Sequence, residues 1–166
     1  HWGQRFAWVS LFTVFWLQAA IMWFVSLPLQ ASAVSSVGFN WADLAGTVLW
    51  AIGLGFESIG DYQLARFKAD SANQGQVLDR GLWRYPRHPN YFGDFLVWWG
   101  LYIIAAAGGA WWTILSPLLM SVLLMKVSGV TLLEKTIQTR RPAYSDYIRR
   151  TSAFFPWPPR EPQQEP

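Results

Sequence analysis

From Trp8 to Leu29 the chain reads WVSLFTVFWLQAAIMWFVSLPL, 22 residues without a charged side chain. Three further blocks follow. Leu44 to Ile59 is apolar apart from Glu57, Phe95 to Leu115 carries no charge, and Trp111 to Leu133 carries only Lys126. A helix needs about 20 mainly apolar residues to cross bilayer hydrocarbon. In lipid every backbone polar group must be satisfied internally, which selects helices. The blocks therefore predict an all-α, polytopic membrane bundle with four transmembrane helices, near residues 7–29, 42–64, 90–107 and 112–134. Composition agrees, since only 14% of residues are charged against about 25% in average soluble chains. A signal peptide competes for the first block, with ASA at 31–33 as a cleavage site. However, that block is longer than the roughly 7–15 residues of an h-region. A buried soluble helix fits poorly with 22 uncharged residues that include Trp8, Trp16 and Trp23. The start at His1 rather than Met points to a fragment or a processed product.

Charge placement tests the four-span reading independently. Segments 30–41 and 105–113 contain no Lys or Arg. Segment 65–90 contains Arg66, Lys68, Arg80, Arg84 and Arg87, and the region after residue 134 contains Lys135, Arg140, Arg141, Arg149, Arg150 and Arg160. Four spans put both basic segments on one side and both uncharged loops on the other. The positive-inside rule makes the basic side, with Arg5, cytoplasmic. Trp41, Trp111 and Trp112 fall at span ends, where interfacial aromatics belong, whereas Trp98 and Trp99 lie deeper and are expected to pack. Residues 1–156 read as a single membrane-embedded domain. Residues 157–166, WPPREPQQEP, read as a flexible tail.

Several chemistries are excluded early. The absence of cysteine removes disulfides, thiolate metal sites and cysteine nucleophiles. There is no GxxxxGK[ST], GxSxG or HExxH, and two histidines make a poor metal site, so no metal is expected. Gly53-Leu54-Gly55 lies in an apolar helix without the strand and third glycine of a dinucleotide fingerprint. Nucleic acid is not an expected partner. Membrane lipid and a lipophilic small molecule are.

Ionisable residues inside apolar spans mark function by default. Glu57, Asp61, Leu64 and Lys68 are spaced i, i+4, i+7, i+11, which is one helical face. A self-satisfied ladder at the membrane surface is the bland alternative, and Glu57 is the deepest of the set. The third span opens with GLWRYPRHPNYFGD, residues 81–94. Pro89 suits the first helical position and His88 the one before it. Arg87, Asn90 and Asp94 then share a face. Both stripes end at the basic loop, where a helix N-terminus flanked by arginines makes an anion site. Tail residues Arg140, Arg141, Tyr144, Tyr147, Arg149 and Arg150 join that side, and some of the arginines will only meet lipid headgroups. The layout suits a polyanionic cofactor meeting a lipid-soluble substrate.

The segment Gly81-Leu82-Trp83-Arg84-Tyr85, followed by Arg87-His88-Pro89-Asn90-Tyr91-Phe92-Gly93-Asp94, resembles the signature of the steroid 5α-reductase family, above all a bacterial branch of membrane proteins. Related forms occur in sterol C14 and C7 reductases. Gly60-Asp61 with Gln63, Phe67 and Lys68, the Ser128-Gly129-Val130 and Leu133-Glu134 segments, and Tyr144, Tyr147, Arg150-Thr151-Ser152 and Phe155-Pro156 extend the likeness over nearly the whole chain. The resemblance implies an NADPH-dependent membrane reductase. It implies cofactor contacts for Asp61 and Lys68 at the adenosine or phosphate end, and for Asn90 and Asp94 near the nicotinamide. Arg84, Arg87, His88 and Tyr91 fall within the signature and count as cofactor-binding candidates. Glu57 stands where the steroid enzymes have asparagine. Glu134, Arg140, Arg141, Tyr144 and Tyr147 fall where the family completes the pocket. Tyr91 is the catalytic candidate within this chain, although the family's substrate-handling glutamate and tyrosine lie upstream of the first helix.

Three functions compete. The first is NADPH-dependent reduction of a steroid- or isoprenoid-like enone or alkene, with a proton supplied beside the hydride. The second is S-adenosylmethionine-dependent methyl transfer, because RHPNY with a Tyr-rich basic tail also resembles isoprenylcysteine carboxyl and phospholipid methyltransferases. The third is a membrane scaffold without turnover. The charge of the basic loop favours the first, since NADPH carries several phosphates and S-adenosylmethionine none.

Overall fold

The computed structural model describes residues 6–127, residues 130, 134 and 137, and residues 144–160. It is all-helical among those residues. In chain order the elements are α1 (Phe6–Ser10), a π-helical stretch (Leu11–Trp16), α2 (Leu17–Val25), α3 (Leu27–Ala33), α4 (Trp41–Ala69), α5 (Pro89–Ala107), α6 (Leu115–Val122), a second π-helical stretch (Leu123–Val127) and α7 (Tyr144–Arg150). Short 3-10 turns occupy Ser71–Asn73, Gly81–Arg84 and Trp111–Ile114.

The four expected helices appear with local amendments. The first is broken at Ser26, where Pro28 opens α3 from its first turn, a position that needs no N–H donor. The Ser26 hydroxyl bonds the Trp23 carbonyl at 2.9 Å across the break. The second starts at a capping box on Asn40. The Asn40 side chain accepts from the Ala42 N–H, and Asp43 accepts from the Asn40 N–H, each at 2.8 Å. It then runs five residues beyond the expected end at 64, to Ala69. The fourth starts as a 3-10 turn and passes through α6 into the π-helical stretch.

Among the described residues, two helices are long and apolar enough to cross a membrane, Trp8–Val25 and Trp41–Ala69. Trp111–Val127 is apolar but shorter, and α5 has 19 residues with the polar motif at its start. Only 6% and 11% of the two long windows are buried, so neither is packed as a buried core helix among the described residues. Large apolar side chains cover the outside, including Trp16, Trp23, Trp41 and Trp111. In water that would be an apolar patch far beyond the norm.

The inside is built from small residues. Gly46, Gly53 and Gly60 on α4 are buried at seven-residue spacing, as are Gly93 and Gly100 on α5. A methyl group on Gly53 would sit 2.6 Å from the Gly93 carbonyl oxygen, and one on Gly46 would sit 2.7 Å from that of Gly100. One on Gly60 would meet the Asn90 N–H nitrogen at 3.2 Å. The two helices therefore run antiparallel with backbones nearly touching, the small-residue solution to packing where no hydrophobic force separates helix from solvent. Around this pair, Ser116 of α6 bonds the Phe24 carbonyl at 2.8 Å. The Trp99 indole donates to Ser121 at 3.2 Å. Phe92 and Phe95 pack against Leu124, Val130 and Phe154.

Candidate functional site

The close approach of α4 and α5 decides what the polar stripes can do. With Gly60 against Pro89 and Asn90, the end of one stripe meets the start of the other. The Asn90 amide nitrogen donates to Asp61 Oδ1 at 2.9 Å. One turn deeper, the Glu57 backbone lies against Gly93, and Glu57 and Asp94 fall within each other's electrostatic reach. Tyr91 lies in the field of both Asp61 and Asp94, and the Trp98 indole sits beside Asp94. Glu57, Asp61, Asn90, Tyr91 and Asp94 thus form one polar face across two helices.

One atom on that face stands out. Asn90 Oδ1 is buried and has no hydrogen-bond partner among the described residues. Its orientation follows from the contact with Asp61, because a carboxylate oxygen accepts and so faces the amide NH2. A buried acceptor left unpaired costs on the order of 1–3 kcal/mol. A ligand N–H at this point would recover it.

The signature loop does something else. Gly81 takes φ +63°, which lets the Leu82 N–H reach Gln63 Oε1 at 3.0 Å. The buried Trp83 indole donates to the Gly60 carbonyl at 3.0 Å. Arg87 is 7% exposed. Its Nε and one terminal nitrogen fork onto Glu134 at 2.7 and 3.0 Å. The other terminal nitrogen donates to the carbonyls of Ile148 at 3.1 Å and Thr151 at 2.6 Å. Four of about five guanidinium donors are thereby used. His88 contacts the same Glu134 at 3.1 Å and stacks on Tyr91.

The Tyr147 hydroxyl donates to the Trp83 carbonyl. Burial raises the Tyr147 phenol well above its ordinary value and pushes that of Tyr144 up to about 12, so both stay neutral and Tyr147 keeps the proton it donates. The Arg87 N–H bonds the Ser152 carbonyl at 2.8 Å. Arg87, His88, Glu134, Tyr144 and Tyr147, expected around a cofactor, are therefore internal. They clamp α7 and the segment after it to the start of α5. The guanidinium of Arg87, a cofactor-binding candidate by sequence, is turned inward, because Glu134 and two carbonyls already occupy it.

Arg84 and Lys68 are exposed, and neither has an ion-pair partner among the described residues. Arg140 and Arg141 lie outside the described residues. Arg149 pairs with Asp146, and Arg150 pairs with Asp79 at 2.5 Å. The segment expected to be a loose tail is tied at residue 160, where the Arg160 N–H donates to the Arg150 carbonyl at 2.8 Å. No group of three His, Cys, Asp or Glu able to hold a metal exists among the described residues.

Sequence reasoning placed both acid stripes but missed the clamp. Nothing local names the partners of Trp83 and Arg87, which lie 64 positions away in Tyr147 and Thr151. The glycine heptads were a readable signal, and their spacing would have paired α4 with α5.

A family model described as protein of unknown function (DUF1295) matches residues 1–151. No curated protein and no solved structure matches.

Proposed function

We propose, on the premise that this chain belongs to the DUF1295 family, that it is an integral-membrane, NADPH-dependent reductase of a lipid-soluble enone or alkene. The observation that carries this reading is the orphaned Asn90 carbonyl on the acid face. A nicotinamide carboxamide offers an N–H donor to that oxygen, and ribose hydroxyls can donate to Asp61 or Asp94. The likeness of residues 81–94 to the steroid 5α-reductase signature supports the same assignment. Bound NADPH supplies the hydride; the chain's own residues hold and orient it, and Tyr91 is the phenol of this face available to a substrate. Lys68 and Arg84, which have no ion-pair partner among the described residues, are available to phosphate.

Asp94→Asn tests this. The change keeps shape and removes a charge. It is expected to weaken NADPH binding by about 1.5–3 kcal/mol, the worth of a charge-assisted hydrogen bond, while thermal unfolding stays as in wild type. A folded Asp94→Asn protein with wild-type affinity would remove the cofactor from this face.

A second reading has one observation in its favour. Glu57, Asp61 and Asp94 make the face acidic, which suits the ammonium and sulfonium of S-adenosylmethionine. The methyltransferase reading therefore stands as the alternative, with competition between the two cofactors as the discriminator.

We further assign the exposed apolar surface to lipid, with four spans and the basic end in the cytoplasm. The chain has no cysteine, so single-cysteine variants give clean labelling. Ser36→Cys is expected to react with an impermeant maleimide on intact cells, and Gln74→Cys only after permeabilisation. Outside labelling of Gln74→Cys would invert the topology.

A further inference from the structure

At the basic end, the 79–84 loop and the segment after α7 enclose an open pocket of 380 Å³. That is within the roughly 300–1,000 Å³ of small-molecule sites. Asp79, Arg80 and Arg84 form one wall, and Arg150, Pro159 and Arg160 the other. None of the acid-face residues lines it. Four arginines share this space with one carboxylate, and that carboxylate is taken, since Asp79 binds Arg150 at 2.5 Å.

The cations are placed by the fold. The Arg80 guanidinium lies over the Phe67 ring, 5.8 Å from its centroid. Arg84 ends the 3-10 turn that Gln63 and Trp83 anchor. Arg160 is fixed through its backbone N–H to Arg150. Arg84 and Arg160 have no carboxylate partner among the described residues. Like charges gathered in one cavity repel, and a polyvalent anion turns that cost into binding. Guanidinium forks match phosphate oxygens two at a time.

We propose that this pocket binds a phosphate monoester, gripped by Arg84 and Arg160, and that the residues 157–160 segment exists in its bound-back position to supply the second grip. The phosphate can come from a nucleotide or from an acidic lipid headgroup. In the nucleotide case the inference rests on the reductase reading; in the lipid case it does not.

The test uses the protein in nanodiscs of phosphatidylcholine. One arm titrates adenosine 2′,5′-bisphosphate, and NADPH in a parallel run, by calorimetry. The other replaces part of the lipid with phosphatidic acid and counts retained lipid by native mass spectrometry. One probe is expected to bind, with affinity falling about tenfold or more in Arg84→Gln and in Arg160→Gln. Arg66→Gln, an exposed cation of α4 away from the pocket, is expected to bind as wild type. Failure of both probes, or binding that neither pocket variant weakens, overturns the proposal. Lipid binding through both arginines without any NADPH binding would sustain the pocket and sink the reductase reading. NADPH binding unchanged in both variants, with no lipid retained, would do the reverse.

Discussion

Arg87→Ala is expected to detach the segment after α7 and to cost about 3–5 kcal/mol, the usual penalty for removing one partner of a buried ion pair. The guanidinium is 7% exposed and holds a carboxylate and two carbonyls. Its loss leaves Glu134 with only His88 among its described partners and strips the Ile148 and Thr151 carbonyls of this donor. At about 2–4 °C per kcal/mol for a chain of this size, melting should fall by roughly 6–20 °C. Arg87→Lys should recover little, because an ammonium cannot fork onto a carboxylate while reaching two carbonyls. Thermal unfolding in detergent, with limited proteolysis near residue 150, measures both. A melting point equal to wild type in Arg87→Ala would return this residue to the surface, as a phosphate ligand.

Gly93→Ala should fail for a different reason. Its new methyl would meet the Glu57 backbone nitrogen and lie 2.5 Å from the Gly53 carbonyl oxygen. Both obstacles are backbone, so no side chain can yield, and α4 and α5 must part. Overpacking typically costs about 1–3 kcal/mol, and here the separation also pulls Asn90 from Asp61. Gly53→Ala should act alike, and the double variant should cost less than the sum, because the two sites touch. Gly55 is the internal control. Nothing lies within 4 Å of a methyl at that position, so Gly55→Ala should be neutral or stabilise by about 0.5–1 kcal/mol. Equal behaviour of Gly55→Ala and Gly93→Ala in unfolding would refute the glycine-mediated contact.

The fold was legible where chemistry repeats along the chain. Uncharged runs mark α2, α4 and α5, the i, i+4, i+7 spacing marks the face carrying Glu57 and Asp61, and Pro89 marks the start of α5. The candidate site was legible as two stripes, and Asn90 against Asp61 is where they join. What stayed hidden depends on long-range partners. A sequence does not say whether an arginine beside a helix start faces solvent or a glutamate 47 positions on, yet that difference separates Arg84 from Arg87. The break at Ser26 and the π-helical stretches are likewise changes of backbone hydrogen-bond register, which apolar periodicity does not encode.

The central claim is that the face joining Asp61, Asn90 and Asp94 holds NADPH. It is tested most directly by native mass spectrometry of the detergent-solubilised protein, offered NADPH and S-adenosylmethionine together, for wild type and Asp94→Asn. The account predicts a one-to-one NADPH adduct on wild type that is depleted in the folded variant. An S-adenosylmethionine adduct in its place, or an NADPH adduct that Asp94→Asn leaves intact, would contradict it.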